Sequence, residues 1–567
     1  MGTRALEIIR FRKRYYIRYH QYDGYFEGLG AQIIASIPEH PEAYQRWLES
    51  MRAWYASKEE ALEQKVYRIR AGFEPEFSEF EEFMALPSEL PRLDDFDAMY
   101  FYIINLDQEV FTMNYTIHWK LSNIPRQNNL WHQAIENSVY MNKQTISSTI
   151  CPEEHMASLA LKMPKKNMTI SYDFHTVAPK IHIQETRKVF LTRFLAAVMV
   201  EYKNEIIRFA REWSPDSFPF RELAFALVSI ASENFKFHSF PAQPCNPRTC
   251  SFVYCKSNHL PESPGWLDKD WAGNDAPLLE FGSMSHRENE PSGASPTETM
   301  YWHENVLINL VLVPDGEAVT KAATWGIEQG RANFQVIVMS LFQVIFAEIS
   351  FSRKRRPFIK VSEAVQLSPL YESYCTSTHP RERPVLKSGM EPQYHYGELV
   401  MQSNCTGTVR KLRNYFPGLA AMVNFFDAAA SRCAASKLTS LLPLEVYHRI
   451  LDFVDYDTWK SCSMVSHELR LYCLSKYRID SCTRIVAGPF IRMDKYSKKR
   501  VVSFNFENMK TGKIVPMTEY RRNFETKQCN WMPLIGSGRR VLMLDVFIQF
   551  ESAENEPVQS ESDDKPY

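Results

Sequence analysis

The sequence predicts an α+β protein of several domains: an N-terminal α+β domain over 1–165, a mostly helical middle with long loops over 166–435, a small helical unit over 436–482, a C-terminal β-rich region over 483–550 and an acidic tail over 551–567. Three observations predict it. Short runs that alternate apolar and polar residues, the pattern of half-exposed strands, lie near both ends of the chain. Apolar residues at helical spacing form a long stripe between positions 44 and 69 and further stripes through the middle. Long polar loops interrupt the middle, and loops of that length carry function or separate folded units.

Taken in order, residues 6–11 and 15–19 read as strands joined by Arg12-Lys13-Arg14, with Ile17 and Tyr19 alternating against Tyr16 and Arg18. Glycines at 24, 28 and 30 lead into 31–37. A long helix over 41–70 carries Tyr44, Trp47, Leu48, Met51, Trp54, Tyr55, Leu62, Val66 and Ile69 on one face and charges on the other. Residues 73–97, acidic and interleaved with Phe and Pro, predict an irregular covering strap; 100–105 and 109–113 predict another hairpin.

The middle opens with a strand over 168–174 and continues as helices over 186–213, 220–235, 319–349 and 408–430, with loops at 241–264, 282–299 and 376–396. Its apolar run 334–349 is interrupted by Gln335, Gln343 and Glu348, which argues for a core helix and against a membrane span. Near residue 440, Leu442-Pro443 opens a helix with Val446, Ile450, Leu451 and Val454 on one stripe. After a break at Asp455-Tyr456-Asp457 comes a second apolar set, Trp459, Cys462, Met464, Val465 and Leu469. A helical pair this small cannot hide so much apolar surface by itself, so it docks on a partner or on the rest of the chain. Strands follow at 484–491, 500–506, 514–517 and 541–550, and the tail from Glu551 lacks periodicity, which predicts disorder.

The 567 residues suffice for several cores, and 45% hydrophobic with 23% charged residues is the balance of a soluble globular chain. The net charge of −1 supplies no global field to recruit nucleic acid or an anionic membrane. The N-terminus lacks the apolar run of a secretory signal, and Leu6 stands where a myristoylation signal needs Ser or Thr. Eleven scattered cysteines fit reduced thiols in the cytoplasm or nucleus.

For chemistry, Cys245, Cys250, Cys255 and His259 are the best metal candidate, four soft or imidazole ligands able to staple a loop with a structural zinc. Their spacing also fits ordinary thiols. The glycines before residue 31 suit a phosphate cradle or close packing. Arg10, Arg12, Lys13, Arg14 and Arg18 among Tyr15, Tyr16 and Tyr19 suit a single-strand binder or a solvated basic hairpin. The run Arg353-Lys354-Arg355-Arg356 suits a nuclear-import patch or the cationic end of a helix. No nucleophile–base motif is present, and His175, His182, Asp173 and Glu185 share only proximity in sequence. An enzyme centred near His20, Asp23 and Glu27 remains an alternative reading of the N-terminal domain.

The order Leu-Pro-x-Glu-Val, Ile450-Leu451, Val454, Asp455 and Val-Ser-x-x-Leu-Arg, spanning about 438–480, resembles an F-box. The resemblance implies a non-catalytic subunit of an SCF-type ubiquitin ligase that binds a Skp-type adaptor, and through it a cullin, while holding a protein client. It further implies that Leu442, Pro443, Val446, Ile450, Leu451, Val454, Val465 and Leu469 form the adaptor-facing or supporting surface. The same stripe also fits an ordinary core helix pair. Residues 1–160, through Met-Gly-Thr-Arg, Tyr-His-Gln-Tyr-Asp-Gly-Tyr-Phe-Glu-Gly-Leu-Gly and Leu-Pro-Arg-Leu-Asp-Asp-Phe-Asp, resemble an N-terminal module of large filamentous-fungal proteins, which implies no activity.

Overall fold

The computed structural model describes residues 2–70, 82–84, 87–91, 98–138, 143–147, 149–159, 169–241, 279–281, 284–286, 293–351, 356–371, 393–402, 404–434, 442–493, 499–518, 529–537, 540–544, 546 and 548–550. At the N-terminus β1 (Ala5–Phe11) and β2 (Arg14–His20) form a hairpin. Its two turn residues, Arg12 and Lys13, take positive φ of 45° and 68°, the turn geometry that follows strand twist. β1 pairs in parallel with β3 (Tyr100–Asn105), and β4 (Val110–Met113) and β5 (Ile117–Lys120) complete the order β2-β1-β3-β4-β5. A π-helical turn at Phe26–Gly30 leads into α1 (Ala31–Ser36), and α2 (Pro41–Arg70) then covers one sheet face. Tyr44, Leu48, Tyr55 and Leu62 of α2 pack there with Ile9, Phe11, Tyr16 and Phe111. The period of two along β1 sends Leu6 and Ile8 to the opposite face, where they join a different cluster. A small hairpin of β6 (Ile135–Ser138) and β7 (Lys143–Ile146) closes this part.

The middle corrects the expectation of a mostly helical domain. Here β8 (Asp173–Val177), β12 (Met300–His303), β13 (Val306–Leu310), β14 (Phe334–Met339), β15 (Gln343–Phe351) and β16 (Pro357–Ser362) form a sheet ordered β12-β13-β14-β15-β16-β8, and β17 (Val365–Gln366) pairs with β15. Helices α3 (Thr186–Glu201), α4 (Lys203–Phe209) and α5 (Phe218–Ala231) precede most of it, and α6 (Gly316–Glu328) connects the parallel pair β13 and β14. The segment expected as one helix over 319–349 is therefore α6 followed by a two-stranded hairpin. The reason is double burial: Val336 and Val338 pack against Val319 and Ala322 of α6, while Ile337 and Met339 enter the cluster on the other face. A strand buried on both faces reads as an unbroken apolar run, as a buried helix does.

Helices α7 (Val409–Tyr415) and α8 (Pro417–Cys433) replace the single helix expected over 408–430, and Pro417 occupies the first helical position of α8. Likewise, the helix expected over 186–213 breaks at Tyr202. Three helices follow instead of the expected pair: α9 (Leu444–Phe453), α10 (Tyr456–Cys462) and α11 (His467–Ser475).

At the C-terminal end, β18 (Thr483–Met493), β19 (Arg500–Asn508), β20 (Ile514–Thr518) and β23 (Gln549–Phe550) form one sheet. β21 (Cys529–Ser537) and β22 (Arg540–Met543) belong to another, joined with β9 (Lys236–Pro241), β10 (Leu279–Phe281) and β11 (Met284–His286) of the middle. The chain thus returns to complete a sheet begun about three hundred residues earlier. One buried cluster runs from Leu6 through α3, α5, α8 and α11 to Ile548. Among the described residues, no helix is long and apolar enough to cross a membrane. The predicted tail, 551–567, lies outside the described residues, as does most of 73–97.

Candidate functional site

The three-helix element α9–α11 is built from short helices, each closed by a local device. Pro443 precedes the first turn of α9, and Glu445 places negative charge beside its N-terminus. At the other end the Arg478 guanidinium donates to the carbonyls of Leu451 (2.7 Å), Asp452 (3.1 Å) and Val454 (2.8 Å), groups the helix leaves unpaired. Asp455 caps α10 by accepting from the Thr458 N–H (2.9 Å) and hydroxyl (2.9 Å). These two bonds hold the Asp455 carboxyl below its ordinary range. Ser466 caps α11, accepting from the Leu469 N–H at 3.2 Å. His448 stacks on Tyr472 at 3.9 Å, and Asp452 accepts from Tyr472 (2.9 Å) and Lys476 (2.9 Å), which ties α9 to α11.

The inner side of this element is fastened to the body. Leu451, Tyr456, Trp459, Leu469, Cys473 and Tyr477 are buried in the main cluster, with Tyr447 and Val454 packed against it. Asp427 on α8 accepts from Arg470 of α11 (2.7 Å), from Arg187 of α3 (2.8 Å) and pairs with Lys188 (2.8 Å). Arg187 also pairs with Glu233. Burial alone pushes the Asp427 carboxyl up, but the three cations together hold it well below the usual carboxylate range.

The outer side is different. Leu442 is 43% exposed, Val446 40%, Ile450 46% and Phe453 87%. Spaced four and three along α9, Val446, Ile450 and Phe453 share one face. Val465, in the α10–α11 turn, and Leu471 are also half open, at 50% and 56%. Val446, Ile450 and Phe453 thus form a row of exposed apolar side chains along α9.

Of the eight residues the sequence assigned to the adaptor-facing or supporting surface, the structure exposes Leu442, Pro443, Val446, Ile450 and Val465. It buries Leu451 and Leu469 at 3% and 5%, and half-buries Val454 against the same cluster. The single stripe read from 446, 450, 451 and 454 is really two, because the boundary between body and solvent runs along α9 between Ile450 and Leu451. Phe453 joins this face without belonging to the sequence motif; its place three residues after Ile450 is the signal for it.

The other candidates resolve as packing or pairing. Cys245, Cys250, Cys255 and His259 lie outside the described residues; among the described residues no group of three or more His, Cys, Asp or Glu is placed to hold a metal. A Cβ on Gly24 would meet Ala5 Cβ at 2.7 Å and one on Gly28 the Asp23 carbonyl oxygen at 2.2 Å, so both glycines serve close packing. His20 pairs with Glu7 (3.0 Å) and Glu27 with His132 (2.9 Å), so each of the two faces its own partner. The basic hairpin is neutralised: Arg12 pairs with Glu59 (3.0 Å), Lys13 with Asp216 (2.6 Å), Arg14 with Glu63 (2.8 Å) and Arg18 with Glu82 (2.8 Å). Arg10 and Tyr15 are buried on Glu212, at 3.2 Å and 2.8 Å. The rings of Tyr15 and Tyr16 are buried and offer no stacking platform for bases, and Tyr19 is half-buried.

Arg353, Lys354 and Arg355 lie outside the described residues, but the neighbouring elements are the strands β15 and β16, which removes the helix-terminus reading. Asp173 and His175 sit exposed on β8, His182 meets Arg413 at 3.1 Å, and Glu185 holds Lys188 at 2.9 Å. They form no catalytic constellation. No protein-family model matches the chain, and neither the curated proteins nor the solved structures contain a match to it.

Proposed function

We propose that the chain is a substrate-receptor or scaffold subunit of an SCF-type ubiquitin ligase, with α9–α11 as its F-box. The observation that carries this reading is the outer face of α9, where Val446, Ile450 and Phe453, with Leu442 just ahead of the helix, lie open to solvent while the inner face is fixed to the body. The Leu-Pro-x-Glu-Val opening and the Val-Ser-x-x-Leu-Arg close fall on the start of α9 and the start of α11, in the order the resemblance requires.

In this reading Leu442, Pro443, Val446, Ile450 and Phe453 meet a Skp-type adaptor, and Val465 flanks them. Leu451, Val454 and Leu469 act indirectly by holding the element at one orientation. Leucine and valine are uncommon hot-spot residues by type; they count here because an adaptor desolvates them at the centre of the contact. Truncating Leu442 or Ile450 to alanine costs about 1–3 kcal/mol of association. The chain performs no chemistry itself. It holds a protein client beside the ligase through adaptor and cullin, and its contribution is effective concentration.

Co-expression with a Skp-type adaptor and a cullin tests this. The wild-type chain retains both on purification, and a Val446→Asp/Ile450→Asp variant retains neither while remaining folded. A wild type that leaves the adaptor behind, or a variant that keeps it, ends the reading.

A further inference from the structure

We propose that the outer edge of β8 takes up, as an added strand, an extended peptide segment in which apolar and acidic residues alternate. β8 ends the order β12-β13-β14-β15-β16-β8 and is bonded on one side only, in parallel with β16. Among the described residues no strand pairs with its other side. All five of its residues are exposed. A strand edge presents unpaired N–H and C=O groups, and folded proteins blunt such edges with a bulge, a proline, a lysine or a covering segment. Asp173-Phe174-His175-Thr176-Val177 holds no proline and no lysine, its register against β16 is unbroken, and Pro179 comes only after the strand has ended.

The side chains beside that edge set the chemistry. On one face Phe174 and Thr176 extend the row of Ile359 and Val361, which are buried toward α6. Phe174 is left 40% exposed at the rim of this apolar row. On the other face His175 lies beside the exposed Lys360, and the exposed Lys180 follows the strand. Asp173, the single acid of β8, stands at its start. Side chains of an incoming strand alternate between the two faces, so its apolar residues fall beside Phe174 and Thr176 and its acids beside His175 and Lys360. Backbone pairing supplies affinity in this mode and the alternating side chains supply selectivity. This surface is separate from the outer face of α9 and does not depend on the adaptor reading.

The test uses the full chain and two fluorescein-labelled peptides of about seven residues, long enough to cover a strand of this size. One alternates Glu and Val; the other alternates Lys and Val. Fluorescence anisotropy is expected to show binding of the Glu–Val peptide and at least about tenfold weaker binding of the Lys–Val peptide, a gap of about 1.4 kcal/mol. His175→Glu/Lys360→Glu reverses that preference, Phe174→Glu weakens both peptides, and Ile450→Asp/Phe453→Asp changes neither. Absence of Glu–Val binding to the wild type, equal binding of the two peptides, or indifference to the β8 substitutions overturns the proposal. So does a concentration-dependent dimer that Phe174→Glu abolishes, because the edge then serves a second copy of the chain.

Discussion

Asp427 receives charge from three sides, and the consequences follow from its burial. Replacing it with asparagine leaves Arg187, Lys188 and Arg470 without their common carboxylate, and breaking a buried pair on one side costs about 3–5 kcal/mol. The denaturant midpoint of Asp427→Asn should fall accordingly. The sign with pH is equally definite. The folded carboxyl titrates below its ordinary value of 3.8, so its contribution is complete above that pH and is lost as pH falls below it. Wild type therefore loses stability on acidification below that value more steeply than Asp427→Asn does, which urea titrations at several pH values measure. Leu451 and Phe453 separate support from contact. Leu451→Ala should lower stability by about 2–5 kcal/mol, whereas Phe453→Asp should change it by less than about 0.5 kcal/mol, both read from denaturation midpoints. The apolar identity of α9 was legible in the sequence. Which of its residues face outward was not, because that is set by α11 and by the buried cluster α9 joins, whose members reach back as far as Leu6.

At the scale of the element, the clearest lesson lies in what ended each helix or strand. α2 was readable to its ends, Pro41 and Arg70, because Tyr44, Leu48, Tyr55 and Leu62 recur at helical spacing on the face that meets the sheet. β14 and β15 were not, since both of their faces are covered and periodicity disappears. Tyr202 and Phe416–Pro417 split helices whose hydrophobic pattern runs on unbroken; the proline was a visible signal, the tyrosine was not. Arg478 gives the three-helix element a testable keystone. Substituting it with methionine keeps the volume and removes three carbonyl bonds from the end of α9. Charge-assisted bonds are each worth about 1.5–3 kcal/mol, so Arg478→Met should destabilise the chain by at least one such bond. Hydrogen exchange should show the loss first in α9.

Across the whole molecule one buried cluster draws residues from the N-terminal, middle, three-helix and C-terminal segments, while the N-terminal sheet keeps a second cluster on its other face. Arg10 and Tyr15 of the first sheet are satisfied by Glu212, and β9 finds its partner in β21. A fragment of residues 1–165 therefore loses Glu212, the acceptor of Tyr15 and one of the partners of Arg10, which keeps Asp107 and Asn105, and a fragment ending at 482 leaves β9 without β21. Both should be digested by trypsin under conditions in which the full chain survives. The sequence carried the strands and helices of each segment, but pairing between positions near 240 and near 530 is a long-range choice that local pattern does not encode. That rigid attachment is also what gives α9 a fixed outward face. The decisive measurement is the affinity of a purified Skp-type adaptor for the full chain, determined by titration calorimetry with wild type, Ile450→Asp/Phe453→Asp and the α9-distant control Phe174→Glu. The account predicts binding by wild type and control and none by the α9 variant at folded concentrations matched by circular dichroism; no binding by wild type, or equal binding by all three, contradicts it.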